Sequence, residues 1–159
     1  MKYLLSVLFF LNSYLSIAQN DNLVAIRSSF FKATQNSDDA DLFFSKMEKY
    51  DESNAIILGY KAMADMMLSK HAYSPYTKIK YFNKGKEKLE KSIRMKPDNV
   101  ELHYLRYATQ FSVPDILKYN ANLKDDKKII LNFLNSKPSD TDLERRIRDF
   151  LKHIEKVNS

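Results

Sequence analysis

Few of the residue types that metal binding requires are grouped in this sequence. The chain has no cysteine, so disulfides, thiolate metal sites and cysteine nucleophiles are excluded. Its three histidines, His71, His103 and His153, lie far apart, and none has a second histidine four residues later. We expect each of them to be a surface or helix-end residue, and we predict no metal and no cofactor.

An acidic run resembles the opening of a calcium-binding loop. Asp38, Asp39 and Asp41 stand at its start, but Phe43 occupies the position that needs glycine, and the glutamate of the twelfth position is missing. Helix capping explains these acids better. We therefore do not predict a calcium site here.

The motifs of nucleophilic and phosphate chemistry are also missing. No Gly-x-Ser-x-Gly turn occurs, and glycine only at positions 59 and 85 leaves no glycine-rich phosphate loop. Asp65 lies inside an apolar run, where it is either a functional carboxylate or a structural residue, on the narrow polar edge of the helix or paired with a neighbouring lysine. The second interpretation is favoured, because unpaired buried acids are rare. We expect a protein that is not an enzyme.

Aromatic residues are the feature that points to binding. Tyrosines concentrate in residues 71–83 and 104–119, with two basic side chains nearby. A tyrosine ring offers a large contact area with a polar tip, so these residues either line a groove or pack in the core with wet hydroxyls. For the groove, the candidate binding residues are Lys78, Tyr104, Arg106, Tyr107 and Tyr119.

Seven helices are predicted to position these residues, and only two glycines and four prolines interrupt the chain. The predicted helices cover residues 22–35, 38–50, 54–71, 75–96, 99–111, 123–136 and 140–157. The third is apolar on all sides, which predicts a central, buried helix. Gly85 lies inside the fourth and predicts close approach of another helix. The last carries a clean apolar stripe that needs a partner, either the body of the domain or a second copy.

Polar side chains mark where most of these helices begin. The predicted caps are Ser37, Ser53 or Asn54, Ser74 with Pro75 following, Asp98 with Glu101 as a capping box, Asn122, and Ser139 or Thr141.

The N-terminus has the layout of a secretory signal peptide. Lys2 precedes an apolar run that reaches Ile17, and Ser16 and Ala18 are small residues at the −3 and −1 positions. The run is too short and too polar in its middle for a membrane anchor, the less favoured alternative. We predict cleavage of residues 1–18 and a single helical domain over residues 19–159, located in the periplasm or secreted.

The charge balance is mildly basic. With residues 1–18 removed, 25 Lys and Arg face 20 Asp and Glu, a net charge of +5. The densest basic stretch, residues 78–96, fits either an anionic partner surface or a solvated helix face, and the second is favoured. We do not expect nucleic acid as a partner, since an exported protein seldom meets it.

Two resemblances bear on the fold. Gly85, Leu89, Ser92 and Pro97 occupy the positions that close the second helix of a tetratricopeptide repeat, and Leu58-Gly59 resembles the Leu-Gly pair of a first helix. The loop after the third helix is longer than a regular repeat allows. The resemblance implies an irregular tetratricopeptide-like array, in which each helical hairpin packs against the next.

The mature chain also resembles a group of small, signal-bearing proteins of Bacteroidota. The residues that carry this likeness include Phe82-Asn83-Lys84-Gly85-Lys86 and Val100-Glu101-Leu102-His103-Tyr104-Leu105-Arg106, with His103 in place of an expected arginine. The resemblance implies export and a helical fold, and no particular chemistry.

Together these features predict an all-α domain, a tetratricopeptide-like array or bundle of about seven antiparallel helices. The expected function is non-catalytic binding of another envelope protein, as an adaptor or scaffold. Three alternatives remain open: an envelope enzyme, an accessory subunit acting on glycan or lipid, and a peripheral binder of anionic membrane through residues 78–96. The oligomeric state stays open as well.

Overall fold

The computed structural model describes residues 22–157. Within them the chain forms a single-domain helical bundle with no strand, so the all-α prediction is confirmed. The helices are α1 (22–33), α2 (Ser37–Glu48), α3 (Ala55–His71), α4 (Pro75–Met95), α5 (Val100–Ser112), α6 (Leu123–Asn135) and α7 (Thr141–Val157). Each predicted helix is present, with ends within two residues of those observed. The predicted signal peptide lies outside the described residues.

The apolar helix α3 is the central one, as predicted. Every residue from Leu58 to Met66 is buried, and α4 and α2 pack along two of its sides. α1 completes this first core, since the Phe30 ring lies 5.8 Å from that of Phe43 in α2 and 5.9 Å from that of Tyr60 in α3. Side chains from α5 close the cluster. α3 is therefore surrounded by α1, α2, α4 and α5, as expected for a helix that is apolar on all sides.

Gly85 allows α4 to approach α3 at close range, as predicted. A Cβ atom at this position would lie 2.8 Å from the carbonyl oxygen of Ala62 and 2.7 Å from Cγ of Met66. No side chain fits in that space without moving the α3 backbone. The glycine is therefore required by the contact between these two helices.

A second apolar cluster joins α5, α6 and α7. Its buried members are Tyr107, Ile130, Leu134, Leu143, Ile147 and Ile154. The apolar stripe of α7 packs on the body of the domain, which is one of the two partners that the sequence allows for it. A short 3-10 helix, Asp115–Leu117, separates α5 from α6.

Some predicted caps are confirmed. The Asn54 side chain accepts hydrogen bonds from the backbone amides of Ile56 and Ile57, and Ser74 caps α4 with Pro75 at its first turn. Asn122 stands at the N-cap position of α6, but its side chain accepts a hydrogen bond from Gln110 instead of from the helix.

Three predicted caps are wrong by one residue. Asn36 caps α2 in place of Ser37, Asn99 caps α5 in place of Asp98, and Asp140 caps α7. At α5 the reason is physical, because the Glu101 side chain is buried in an ion pair and cannot complete a capping box.

Candidate binding groove

A groove of about 1050 Å³ runs between the odd-numbered helices. Its walls come from α1, α3, α5 and α7, and the first turns of α4 and residues 113–117 close one side. α2 and α6 contribute nothing to the lining. Each odd-numbered helix therefore has one side that faces the same groove.

The walls of the groove are mostly apolar. Side chains from four helices supply this surface: Phe30, Phe31, Met66, Met67, Phe82 and Phe150. Three large apolar side chains of the lining are exposed to solvent, with exposed fractions of 62% for Phe31, 47% for Ile79 and 85% for Ile116. Apolar side chains gathered in one exposed concavity are typical of a binding site.

A buried ion pair closes one end of the groove. Arg27 of α1 donates from Nε to Oε1 of Glu101 at 2.6 Å and from Nη2 to Oε2 at 2.8 Å. The Tyr60 hydroxyl donates to the same Oε1 at 2.7 Å. Burial and the neighbouring Glu101 carboxylate raise the pKa of Tyr60 well above its usual value, so this hydroxyl stays protonated.

The start of α7 joins the same cluster. Arg27 donates to both oxygens of Asp140, at 2.9 and 2.7 Å, and to Asp142 at 3.3 Å. Arg146 binds Asp142 at 2.9 Å and reaches Ser28 of α1 at 3.0 Å. Burial opposes ionisation of both aspartates, but their hydrogen bonds to arginine outweigh it and lower both pKa values. These contacts hold α1 against α7.

Tyr104 lies on the floor of the groove. Its ring is 5.8 Å from that of Phe150 in an edge-to-face arrangement, and burial raises its pKa to about 12. Its hydroxyl has no hydrogen-bond partner among residues 22–157. The floor therefore offers a neutral hydroxyl group to a bound ligand.

The rim of the groove is mainly basic. Lys70 at the end of α3 donates to the Thr34 carbonyl at 2.7 Å, and Lys78 is exposed nearby at the start of α4. Arg145 pairs with Asp142 at 2.7 Å and approaches Asp149, the one carboxylate of the lining. The arrangement suits an apolar ligand with negative charge at its edges.

The predicted binding residues fall in two places. Lys78 and Tyr104 line the groove. Arg106, Tyr107 and Tyr119 do not: all three are buried, Tyr107 in the cluster of α5, α6 and α7 and the other two in a polar network behind α5.

This second network centres on Arg106. Its guanidinium donates to both oxygens of Asp126, each at 2.8 Å, and to Glu90 at 2.9 Å. The Tyr119 hydroxyl donates to Glu90 at 2.6 Å. The network therefore ties α4, α5 and α6 together, and its polar groups are directed at one another.

His103 belongs to the same network, and the expectation that it lies on the surface is wrong. Its Nδ1 is 2.7 Å from Oδ1 of Asp126, and its Nε2 is 2.6 Å from the Pro97 carbonyl oxygen. Both ring nitrogens face acceptors, which favours the doubly protonated ring, and the hydrogen bond to Asp126 raises the pKa of His103 despite burial. By contrast, His71 ends α3 and His153 is exposed, as expected.

Asp65 is fully buried and paired with lysines of α4, so the structural interpretation is confirmed. Lys88 Nζ lies 2.8 Å from Oδ2 and Lys84 Nζ lies 3.3 Å from Oδ1. The contacts are ion pairs without hydrogen-bond geometry. Asp65 does not line the groove.

Sequence reasoning missed several groups that build the groove. Arg27 and Arg146 are spaced 119 residues apart, and Phe31 carried no sign of its exposure. In the sequence, the relevant patterns are the apolar stripe of α7, the helix that carries Arg146, and the aromatic pair at positions 30–31. Neither pattern indicates a concave surface.

Comparison with known protein families, with curated proteins and with solved structures gave no match. Among the described residues, no three histidine, aspartate or glutamate side chains come together to hold a metal ion. None of the helices in residues 22–157 has the length and apolarity to cross a bilayer.

Proposed function

We propose that this protein is an exported, non-catalytic adaptor that binds another protein of the cell envelope, holding an apolar helix of that partner in its groove. The predicted signal peptide supports the location, periplasmic or secreted. One concave face is lined mainly by alternate helices, with the first turns of α4 added, and this supports the tetratricopeptide-like array, since arrays of this kind present extended binding surfaces.

The observation that carries this proposal is the groove itself. Phe31 on one wall and Ile116 on the other expose apolar surface toward a shared concavity of about 1050 Å³. That volume slightly exceeds the usual range of small-molecule pockets, about 300–1,000 Å³. An apolar helix face laid between helices is a recurrent way to fill such a groove.

The rim specifies the charge of the partner helix. Lys70 and Lys78 lie on one side and Arg145 on the other, with Asp149 as the single acid. A helix with an apolar face and acidic residues along its borders complements this pattern. The hydroxyl of Tyr104 on the floor supplies a donor for one polar group of that helix.

The test is crosslinking in cells, followed by affinity capture of the tagged protein and mass spectrometry. We expect one dominant partner, crosslinked through residues of the groove. Phe31→Glu places a charge on the groove wall, and Ser112→Arg fills the groove from an exposed position of α5. Both should reduce partner recovery at least severalfold without altering helix content.

Leu42→Glu is the matched control. Leu42 is as exposed as Phe31, at 69% against 62%, but it lies on α2 outside the groove. Equal partner recovery from Phe31→Glu and Leu42→Glu would exclude the groove as the binding site. Failure of the unaltered protein to capture any dominant partner would contradict the adaptor function.

A further inference from the structure

Four large apolar or aromatic side chains are exposed on the loop before α4, the start of α4 and the 3-10 helix. Tyr73 is fully exposed in the loop between α3 and α4, and Tyr76 follows in the first turn of α4 with an exposed fraction of 78%. Ile79 of α4 and Ile116 of the 3-10 helix are the other two. We call these four residues the aromatic tip.

Tyr76, Ile79 and Ile116 are connected through α4 and the groove, and Tyr73 lies in the adjoining loop, where it shares a small cavity with the start of α2. Tyr76 and Ile79 are three residues apart on one side of α4. Ile79 and Ile116 both line the groove and are also exposed to solvent, so the tip includes part of the groove's border.

Two contacts anchor this end of α4. The Ser69 hydroxyl donates to the Lys78 carbonyl at 2.8 Å, which fixes the start of α4 to α3. The ring of Phe82 lies 5.9 Å from that of Tyr119, just beyond the 3-10 helix. The tip therefore presents its exposed side chains from a packed base.

Basic residues surround the aromatic tip. Lys78 and Lys80 of α4 and Lys118 after the 3-10 helix are exposed, and none of them pairs with a carboxylate of the described residues. Asp115 is the one acid of the 3-10 helix. The local charge is therefore positive, and Lys91 and Arg94 extend it along the exposed side of α4.

We propose that the aromatic tip docks peripherally on an anionic phospholipid bilayer. Tyrosine favours the boundary between headgroups and acyl chains, since its ring is apolar and its hydroxyl is wet. Ile79 and Ile116 supply the apolar surface that enters this boundary, and the three lysines meet the negative headgroups. This role goes beyond partner binding, because it places part of the groove's border at the membrane surface.

The chain contains no tryptophan, so a single introduced tryptophan reports on the tip without background. The purified protein carrying Tyr76→Trp is mixed with vesicles of phosphatidylglycerol and phosphatidylethanolamine, and in parallel with vesicles of phosphatidylcholine. We expect the emission to shift to shorter wavelength with the first and to stay unchanged with the second. Leu42→Trp, at an exposed position of α2 away from the tip, should show no shift with either.

Charge variants on one helix test the electrostatic part. Lys80→Gln should weaken partitioning onto the anionic vesicles about fivefold, as expected for one basic residue near the surface. Lys91→Gln, an exposed lysine about three turns further along α4, should change it much less. Equal effects of the two variants would assign the binding to the whole face of α4 and overturn docking through the tip.

Other outcomes also overturn the proposal. Absence of vesicle binding does so directly, and so does vesicle binding in which Tyr76→Trp shows no shift. The groove variant Phe31→Glu separates this inference from the proposed adaptor function, because it should lower partner capture and leave vesicle binding intact. Tyr76→Ser should lower vesicle binding by the purified protein and leave partner capture intact.

Discussion

Arg27 and Glu101 form a buried, two-bond ion pair between residues 74 positions apart in the sequence. The pair joins α1 to α5, and the bonds from Arg27 to Asp140 extend the connection to the start of α7. These are the helices that form three walls of the groove. One arginine therefore joins three of the helices that line the groove.

We predict that Arg27→Met lowers the free energy of unfolding by about 3–5 kcal/mol, because it leaves the Glu101 carboxylate buried without its countercharge. Arg27→Met combined with Glu101→Gln should recover much of this loss, since the second change removes the stranded charge. Urea denaturation of the two single variants and the double variant measures the coupling. Additive losses would show that the two side chains do not stabilise the fold through each other.

Helix positions followed from the sequence because they depend on local pattern. Pro75 after Ser74 marked the start of α4, and the all-apolar composition of α3 indicated its central place. Gly85 indicated a close contact with another helix, and the structure shows that this helix is α3. Each of these signals involves residues within a few turns of one another.

The polar networks did not follow from the sequence, because their partners are distant along the chain. His103 meets Asp126 across 23 residues, and nothing in the spacing indicates that pair. Glu101 looked like part of a capping box because Asp98 stands three residues before it. The stronger interaction with Arg27 could be identified only when α1 and α5 were placed side by side.

The pH dependence of stability should reflect His103. The pKa of His103 is raised in the folded protein by its hydrogen bond to Asp126, against burial, and by its bond to the Pro97 carbonyl. The protonated ring therefore stabilises the fold fully below its unfolded pKa of about 6.5, and this stability is lost as pH rises through the higher folded value. Asp126 acts in the opposite range: its pKa is lowered, so its contribution is lost only in acid, below about pH 4.

His103→Gln tests this relationship. Urea denaturation between pH 5 and about pH 9 should show the unaltered protein losing stability relative to His103→Gln as the pH rises. His153→Gln is the control, because His153 is exposed on α7 and its removal should leave the profile unchanged. Parallel profiles for the unaltered protein and His103→Gln would contradict a charged His103.

Gly85→Ala should destabilise the protein although alanine is the better helix former by about 1 kcal/mol. The added methyl group would sit 2.8 Å from the backbone oxygen of Ala62, so α3 and α4 must move apart. Overpacking of this kind costs about 1–3 kcal/mol, which exceeds the gain in helix propensity. Thermal unfolding followed by circular dichroism measures the balance, and an increase in Tm would show that the helices separate without cost.

Arg106→Ala should lower stability, because Arg106 is buried in a polar network. Tyr104→Phe should instead lower partner capture, because Tyr104 lines the groove. Removing Arg106 takes two hydrogen bonds from the buried carboxylate of Asp126 and leaves His103 as its remaining partner, so we expect a loss of up to about 3–5 kcal/mol in the free energy of unfolding. Tyr104→Phe deletes a hydroxyl that bonds to no described residue, so stability should change by no more than about 0.5 kcal/mol. Under the proposed function, partner capture should fall in Tyr104→Phe at unchanged Tm. An Arg106→Ala protein with unchanged urea denaturation and reduced capture would instead place Arg106 at the binding surface, and the assignment of the groove would have to move behind α5.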